Sequence, residues 1–249
     1  MSAILEVRDV SKRFGGVEAV KNVSFEIARG GFVGLIGPNG AGKTTMVNLI
    51  SKHQSLTGGA IYLDGEPIHP LPVFRVARDG ISRTYQQNRL FLEDSVIDNI
   101  RTGMVWSGGT IRKELSYPGA HGPEDARLKA LVDFFELAPY CNAMPSDLSH
   151  VLRRRAEIAQ ALALAPKLLL LDEPFAGFSR EESEELLGLL RECRHGGLTI
   201  LLIEHNMEVV MQACEHLYVM HHGALLAAGT PTEIKSNREV VSVYLGGEL

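Results

Sequence analysis

"GFVGLIGPNGAGKTT" (residues 31–45) is the stretch that decides the fold of this chain. Its first part is a short, continuous apolar run, as expected for a strand buried on both faces. Residues 37–44 then fit the pattern G-x-x-x-x-G-K-[ST], and a helical stretch follows from Thr44 to about Lys52. A buried strand, a glycine-rich turn and a helix in this order predict a loop whose backbone N–H groups surround phosphate groups.

Each residue type in this loop has a chemical reason. Glycine lets the backbone approach phosphates closely, Lys43 would reach the β- and γ-phosphates, and the Thr44 hydroxyl would ligate Mg²⁺. A glycine-rich turn that binds nothing is the alternative, and the full motif between a strand and a helix argues against it. We therefore expect ATP and Mg²⁺ as ligands. The predicted ATP-binding residues of the loop are Gly37, Pro38, Asn39, Gly40, Ala41, Gly42, Lys43, Thr44 and Thr45.

A second motif, "LLLLDEP" (168–174), predicts another buried strand that ends in two carboxylates. The carboxyl end of a strand is where ligands of open α/β sheets bind. Asp172 is expected to hold Mg²⁺ through water, and Glu173 to orient or deprotonate the attacking water. A strand ending in Asp-Glu is weak on its own, and the phosphate loop elsewhere in the chain strengthens the interpretation.

His205 ends the apolar run "LTILLIEH" (198–205). A lone histidine at a strand end is more often structural than catalytic. Its place at the end of another predicted core strand favours a catalytic role, because neighbouring strand ends converge on the same phosphates.

Composition narrows the classes of function. The formal net charge of −5 argues against a nucleic-acid partner. Cys141, Cys193 and Cys214 lack metal-ligand spacing and predict reduced thiols of a cytosolic protein. Charges interrupt the first twenty residues, so we expect no signal peptide, and no uncharged apolar run is long enough to span a bilayer. Any membrane involved would be crossed by another subunit.

The organisation of the chain follows from its periodicity. Alternation at 4–10 and 23–28 predicts half-buried antiparallel strands, and 58–68 predicts a hairpin with its turn at Asp64-Gly65. Strand signals fade between 88 and 165, where apolar residues at helical spacing predict one apolar helix face; they are Leu128, Leu131, Val132 and Phe135. From 168 onward strands and helices alternate again, which implies a mostly parallel sheet.

Together these features predict an α/β protein of the P-loop NTPase class. We expect a mostly parallel core sheet, an N-terminal antiparallel β-subdomain and an inserted helical subdomain. The predicted organisation is one ATP-binding domain over 1–249, with the helical subdomain at 88–165.

Several motifs considered together resemble the ATP-binding subunits of ABC transporters, over essentially the whole chain. They are "GPNGAGKTT", "RTYQQNRLF", "LS…RRR…IAQAL", "LLLLDEP", "LLIEH" and "YLGGEL". The "RTYQQNRLF" segment and the loop-rich stretch 103–123 point to the branched-chain amino-acid importer group. The resemblance implies an ATPase that powers transport from the cytoplasmic face of a membrane.

The resemblance also implies further roles. Gln86 matches the glutamine that contacts Mg²⁺ and the attacking water, and His205 matches the switch histidine that contacts the γ-phosphate. Phe14 matches the aromatic residue that stacks on adenine; an aromatic that caps a small β-subdomain is the alternative. Region 86–105 would contact the membrane permease. Two ATPase subunits would face each other head to tail, with each ATP held by one phosphate loop and the signature turn of the other subunit.

The signature turn departs from the pattern L-S-x-G-Q of the family. Here it reads "LSHVL" (148–152), so Ser149, His150 and Val151 would face the partner's ATP. Valine puts a branched side chain where a backbone N–H must approach the γ-phosphate, and it adopts positive φ with difficulty. Ser149 is expected to cap the following helix. Helix geometry argues against Arg153 as a substitute charge.

A second departure is Ser179, which stands where the family has aspartate or asparagine. "SREE" (179–182) nevertheless predicts a capping box. Three hypotheses for the function of the chain are open, and the departures bear on the first two. The first is a transport ATPase that works as a heterodimer with one impaired site. The second is a subunit that clamps nucleotide with little hydrolysis. The third is the ATPase of a lipopolysaccharide-type exporter.

Overall fold

The computed structural model describes residues 2–85, 90–106 and 123–245. The chain divides into two compact units, one formed by Met1–Val76 with Thr199–Leu249 and the other by Ala77–Leu198. The strands are β1 (Ala3–Phe14), β2 (Val17–Ala28), β3 (Phe32–Ile36), β4 (Gly58–Leu63), β5 (Glu66–Pro67), β6 (Ile81–Arg83), β7 (Leu168–Asp172), β8 (Thr199–Ile203), β9 (His216–His221) and β10 (Ala224–Gly229). The α-helices are α1 (Lys43–Ile50), α2 (Val73–Asp79), α3 (Val96–Trp106), α4 (Glu124–Phe134), α5 (His150–Ala163), α6 (Arg180–His195), α7 (Met207–Ala213), α8 (Pro231–Ser236) and α9 (Arg238–Leu245).

The first unit contains the predicted antiparallel β-subdomain. Strand β1 pairs antiparallel with both β2 and β4. Along the end of β2, Val23, Phe25 and Ile27 are buried and alternate with exposed residues. The turn between β4 and β5 is Asp64-Gly65, with φ of 57° and 81°. Positive φ at both positions is what a type I′ hairpin turn requires, so the predicted turn is confirmed.

The same unit contains a parallel layer built on β3. All five residues of β3 are buried, as its continuous apolar run predicts. Strand β3 pairs parallel with β8 on one side and with β9 on the other, and β10 adds an antiparallel pair to β9. Residues 37–42 of the phosphate loop separate the end of β3 from the start of α1 at Lys43.

The second unit contains the other two strands and the central helices. Strands β6 and β7 are parallel, and every residue of β7 is buried. The four residues of the predicted apolar face, Leu128, Leu131, Val132 and Phe135, are all buried, which confirms that this face of α4 and its C-cap points to the core. The described parts of 88–165 contain helices, turns and irregular segments and no strand. The boundaries of the helical subdomain itself stay a prediction. Among the described helices, none has both the length and the apolar character needed to cross a membrane.

Candidate nucleotide site

The phosphate loop joins β3 to α1 through a backbone path that glycine alone fits. Gly37 has φ of 147°, and a Cβ there would lie 2.1 Å from the carbonyl oxygen of Met220. Gly42 has φ of 100°, and a Cβ there would lie 2.5 Å from the carbonyl oxygen of Ala19. Both separations are far shorter than real contacts, so side chains at these positions would force backbone to move.

The lysine of the loop lies inside this path. Lys43 is 9% exposed, and its ammonium donates hydrogen bonds to the carbonyl oxygens of Gly37 (2.6 Å) and Pro38 (3.0 Å). Phosphate oxygens are stronger acceptors for an ammonium than neutral carbonyls are. The next residue, Thr44, is exposed on the first turn of α1 and offers the oxygen ligand that Mg²⁺ prefers. The loop therefore fits a nucleotide phosphate chain.

The β9–β10 turn supports this loop. The Gly223 N–H donates to the Ala41 carbonyl (3.1 Å), and the Gly223 carbonyl accepts from the Lys21 N–H (2.8 Å). Tyr244 of α9 is half-buried, and burial raises the pKa of its hydroxyl to about 12. Sequence reasoning missed the support by the β9–β10 turn, because it joins segments far apart in the chain and carries no motif.

His205 lies at a turn organised by its neighbour Glu204. The Glu204 carboxylate is buried, and its Oε2 accepts from the N–H groups of His205 (2.9 Å) and Asn206 (3.1 Å). Asn206 in turn caps α7. The His205 side chain is 63% exposed, so a ligand can reach the imidazole. Glu204 is a positioning residue that the sequence analysis did not single out, although a carboxylate at the end of an apolar run is an unusual signal.

Phe14 ends β1 with its ring exposed. Its exposed fraction is 44%, and the Lys12 ammonium lies 4.9 Å from the ring centroid. An exposed ring face suits stacking on a base better than it suits capping a hydrophobic core. The adenine-stacking role remains a prediction.

In the second unit, Asp172 is the last residue of β7 and forms a buried ion pair. The Nη2 of Arg83 lies 2.8 Å from Oδ2 of Asp172, and their side chains are 7% and 6% exposed. Glu173 follows in a left-handed conformation with φ of 49°, which is unfavourable for a residue with a side chain. Such local strain is typical of functional turns. Carboxylate oxygens fit the predicted Mg²⁺ role of Asp172, and sequence reasoning had not anticipated Arg83 as its counter-ion.

The altered signature turn begins α5 in a regular way. Ser149 is the N-cap, and its Oγ accepts from the Leu152 N–H (3.3 Å), which confirms the predicted cap. Val151 lies within the first turn of the helix and has no positive φ. The expectation that positive φ would strain this valine is therefore wrong, because the helix already starts at His150. The size of the Val151 side chain is still expected to hinder the approach of the backbone to a γ-phosphate. Arg153 folds back, and its Nε donates to the Leu148 carbonyl (3.1 Å).

The turn after Glu173 contacts the signature turn. The ring of Phe178 packs edge-on against the rings of His150 (centroids 5.6 Å apart) and Phe175 (6.4 Å). Ser179 caps α6, and both hydrogen bonds of the predicted capping box with Glu182 are present. The two segments that depart from the family pattern are thus direct neighbours.

Two predicted features fall wholly or partly outside the described residues. Gln86 lies outside the described residues, so its role stays a prediction. Within region 86–105, the described part carries exposed apolar side chains, namely Phe91, Leu92 and Val105. Among the described residues, no group of three or more His, Cys, Asp or Glu side chains is placed to hold a metal ion on its own.

Comparison with known proteins gives consistent matches. The family model "ABC transporter" matches residues 20–176, and the model "Branched-chain amino acid ATP-binding cassette transporter" matches residues 224–249. The chain is 40% identical to the high-affinity branched-chain amino acid transport ATP-binding protein LivG of Escherichia coli (strain K12), over 98% of each chain. It is 37% identical to the lipopolysaccharide export system ATP-binding protein LptB of the same strain, again over 98% of each.

Solved structures agree with these relatives. A nucleotide-free ATP-binding cassette from an ABC transporter superposes with a TM-score of 0.85 at 28% identity, covering 98% of this chain and 99% of that one. A second cassette, solved as a dimer in a post-hydrolysis state bound to ADP and Pi, gives a TM-score of 0.77 at 26% identity, covering 91% and 98%.

Proposed function

This chain belongs to the ABC transporter family, and we propose that it is the ATP-hydrolysing subunit of an importer for branched-chain amino acids. The predicted family, the α/β fold of an ABC ATPase and the ATPase class are confirmed by the family match and by the solved cassettes. The cargo is proposed from the relatives named for branched-chain amino acid transport and from the match over residues 224–249.

The observation that carries the proposal is the phosphate loop. Gly37 and Gly42 combine positive φ with backbone atoms that leave no room for a Cβ, and the Lys43 ammonium donates to two backbone carbonyls of the loop. ATP would recruit Lys43 to its phosphates, and Phe14 would stack on the base. Thr44 and Asp172 would hold Mg²⁺ together with Gln86. The metal would neutralise charge on the phosphates while Glu173 activates the attacking water and His205 contacts the γ-phosphate.

Replacing Glu173 by glutamine tests this assignment. The amide keeps the size of the side chain but cannot take a proton, so we expect turnover to fall by at least about 100-fold while ATP affinity changes less than about twofold. Turnover is measured by phosphate release and affinity by equilibrium binding. The matched control is Glu184→Gln on α6, whose carboxylate is an exposed partner of Arg180. Glu173→Gln with turnover like that control would remove Glu173 from the reaction.

The proposed partners are a second ATPase subunit and membrane permeases. The two ATPase subunits would face each other head to tail, and as the ATPase of a transporter this subunit would lie on the cytoplasmic face of the membrane. The exposed apolar side chains of Phe91 and Leu92 support region 86–105 as the permease contact, since such residues are usually buried in an assembly. The acidic net charge gives no support to a nucleic-acid partner.

The altered signature turn supports an asymmetric dimer. This chain supplies its own phosphate loop, Glu173 and His205 to one site, which the partner's signature turn completes. At the other site, this chain presents Val151, whose side chain occupies the place of a glycine. We therefore propose a heterodimer in which the site closed by this chain is the impaired one.

Two other functions have specific support. A nucleotide-clamping subunit with little hydrolysis is favoured by Val151, and single-turnover hydrolysis separates it from a working ATPase. An exporter ATPase is favoured by the 37% identity to LptB. Amino-acid uptake by vesicles that carry the whole transporter separates the importer from the exporter.

A further inference from the structure

A line of contacts, through side chains and the backbone carbonyl of Tyr85, connects Asp172 to the signature helix α5 within the second unit. Asp172 is paired with Arg83 at 2.8 Å, and the Arg83 guanidinium carbon lies 4.8 Å from the ring centroid of Tyr85. The carbonyl of Tyr85 accepts a hydrogen bond from Nη1 of Arg154 (2.8 Å). The same Nη1 lies 2.8 Å from Oε2 of Glu157. Arg154 and Glu157 both belong to α5.

The first contact in this line, the Arg83–Asp172 ion pair, involves a carboxylate that a metal ion would also bind. Both side chains are almost fully buried, so Arg83 neutralises a carboxylate that would otherwise be costly to bury. Oδ2 of Asp172, which accepts this bond, is one of the two oxygens available to Mg²⁺ or its water. A cation already at hydrogen-bond distance repels a second cation and reduces the charge available to it. The metal and Arg83 therefore compete for the same carboxylate.

The second contact, between Arg83 and the ring of Tyr85, links this competition to helix α5. The guanidinium of Arg83 lies within the range of a cation–π interaction with Tyr85, so a change in the Arg83–Asp172 pair alters the support of that ring. Tyr85 is tied through its own backbone to Arg154, whose side chain is 4% exposed and paired within α5. Packed, hydrogen-bonded groups of this kind transmit small displacements because they have few alternative arrangements.

We propose that Arg83 is a positioning residue that neutralises Asp172 in the nucleotide-free chain, and that metal arriving at Asp172 weakens this pair and loosens the start of α5 through Tyr85 and Arg154. The inference rests on the proposed role of Asp172 as a metal ligand. The signature turn lies at the start of α5. Binding of metal and nucleotide to this chain's own site would therefore change the contact of that turn with the nucleotide held by the partner.

The first test measures metal affinity. Mn²⁺ replaces Mg²⁺, and free Mn²⁺ is followed by electron paramagnetic resonance in the presence of saturating ADP. Arg83→Met removes the competing charge, so we expect Mn²⁺ to bind about 5- to 100-fold more tightly. If Arg83→Met does not fold, Arg83→Lys is used; its single-pronged head holds the carboxylate less firmly, and a rise of about two- to fivefold is expected. Unchanged or weaker Mn²⁺ binding in the folded variant overturns the proposal.

The second test measures the connection to α5. Hydrogen exchange of the amides of 153–160 is followed with and without Mn²⁺ and ADP, at a concentration where light scattering shows a monomer. We expect metal to accelerate exchange in the wild-type chain, and Tyr85→Leu to abolish that response while Mn²⁺ still binds. Tyr62→Leu is the control, since its ring lies 4.6 Å from the guanidinium of Arg8 in the β-subdomain. A response that persists in Tyr85→Leu, or that is absent in the wild-type chain, contradicts the connection.

The outcomes separate this inference from the proposed function. A wild-type chain that binds neither ADP nor Mn²⁺ contradicts the nucleotide site itself. A wild-type chain that binds both, with an affinity for Mn²⁺ that the Arg83 variants leave unchanged, contradicts only the role of Arg83.

Discussion

At the scale of single residues, Gly37 shows how tightly the phosphate loop is packed. A Cβ at this position would lie 2.1 Å from the carbonyl oxygen of Met220, which is part of the β9 backbone and cannot rotate away as a side chain can. The same glycine supplies a carbonyl to Lys43. Its identity therefore fixes both the packing of the loop and the position of the lysine.

We expect Gly37→Ala to abolish nucleotide binding and to lower the free energy of unfolding by more than about 2 kcal/mol, because backbone must shift to admit the methyl group. Binding of a fluorescent ATP analogue and urea unfolding measure the two effects. Gly65→Ala is the matched control: Gly65 has φ of 81° and nothing near its Cβ position, so it carries the strain of positive φ without the collision. It should cost only about 1 kcal/mol and leave nucleotide binding unchanged. Equal effects of the two variants would contradict the steric argument.

At the scale of secondary structure, the start of α5 keeps its cap although its signature sequence has changed. Ser149 bonds the Leu152 N–H, and the next N–H along the helix, that of Arg153, bonds the Ser149 carbonyl. The helix can thus form regularly with valine in the first turn. The alteration at 151 and 152 affects what the turn presents to a ligand and leaves the helix intact.

Ser149→Ala is expected to lower the free energy of unfolding of the nucleotide-free chain by about 1 kcal/mol, since one N–H at the helix start loses its acceptor. For a chain of this length, that corresponds to a fall in Tm of about 2–4 °C in calorimetry. Ser146→Ala is the control. Ser146 is exposed, and within the described residues its hydroxyl bonds only the carboxylate of the neighbouring Asp147. A Tm for Ser149→Ala that equals that of the control would show that the cap is not formed in solution.

Local patterns predict much of the fold and the conformation of the phosphate loop. The phosphate loop, the apolar face of α4 and the caps at Ser149 and Ser179 each depend on residues close together in sequence, so spacing and residue type predict them. The Arg83–Asp172 pair joins residues 89 positions apart, and no periodicity connects them. The same holds for the contact between His150 and Phe178. Such pairings depend on how strands and helices come together, which a single sequence does not encode in any local pattern.

For the whole molecule, we propose that the two ATP sites of the dimer differ in activity. The phosphate loop, Glu173 and His205 of this chain match the pattern of a working ATPase, while the turn it offers to a partner carries Val151. A dimer of two copies would have both sites closed by the altered turn. A dimer with a different ATPase would retain one site closed by that partner's own signature.

The most direct measurement is the rate of ATP turnover by the purified chain alone, compared with its Val151→Gly variant and with the chain combined with its partner ATPase. We expect slow turnover for the wild-type chain alone. We expect a rise of at least about tenfold in Val151→Gly, equivalent to about 1.4 kcal/mol of transition-state stabilisation, and fast turnover in the mixed dimer. Val151→Ala is the control that shortens the side chain while keeping a Cβ, and it should restore less. Fast turnover by the wild-type chain alone, unchanged in Val151→Gly, would contradict the asymmetric assignment.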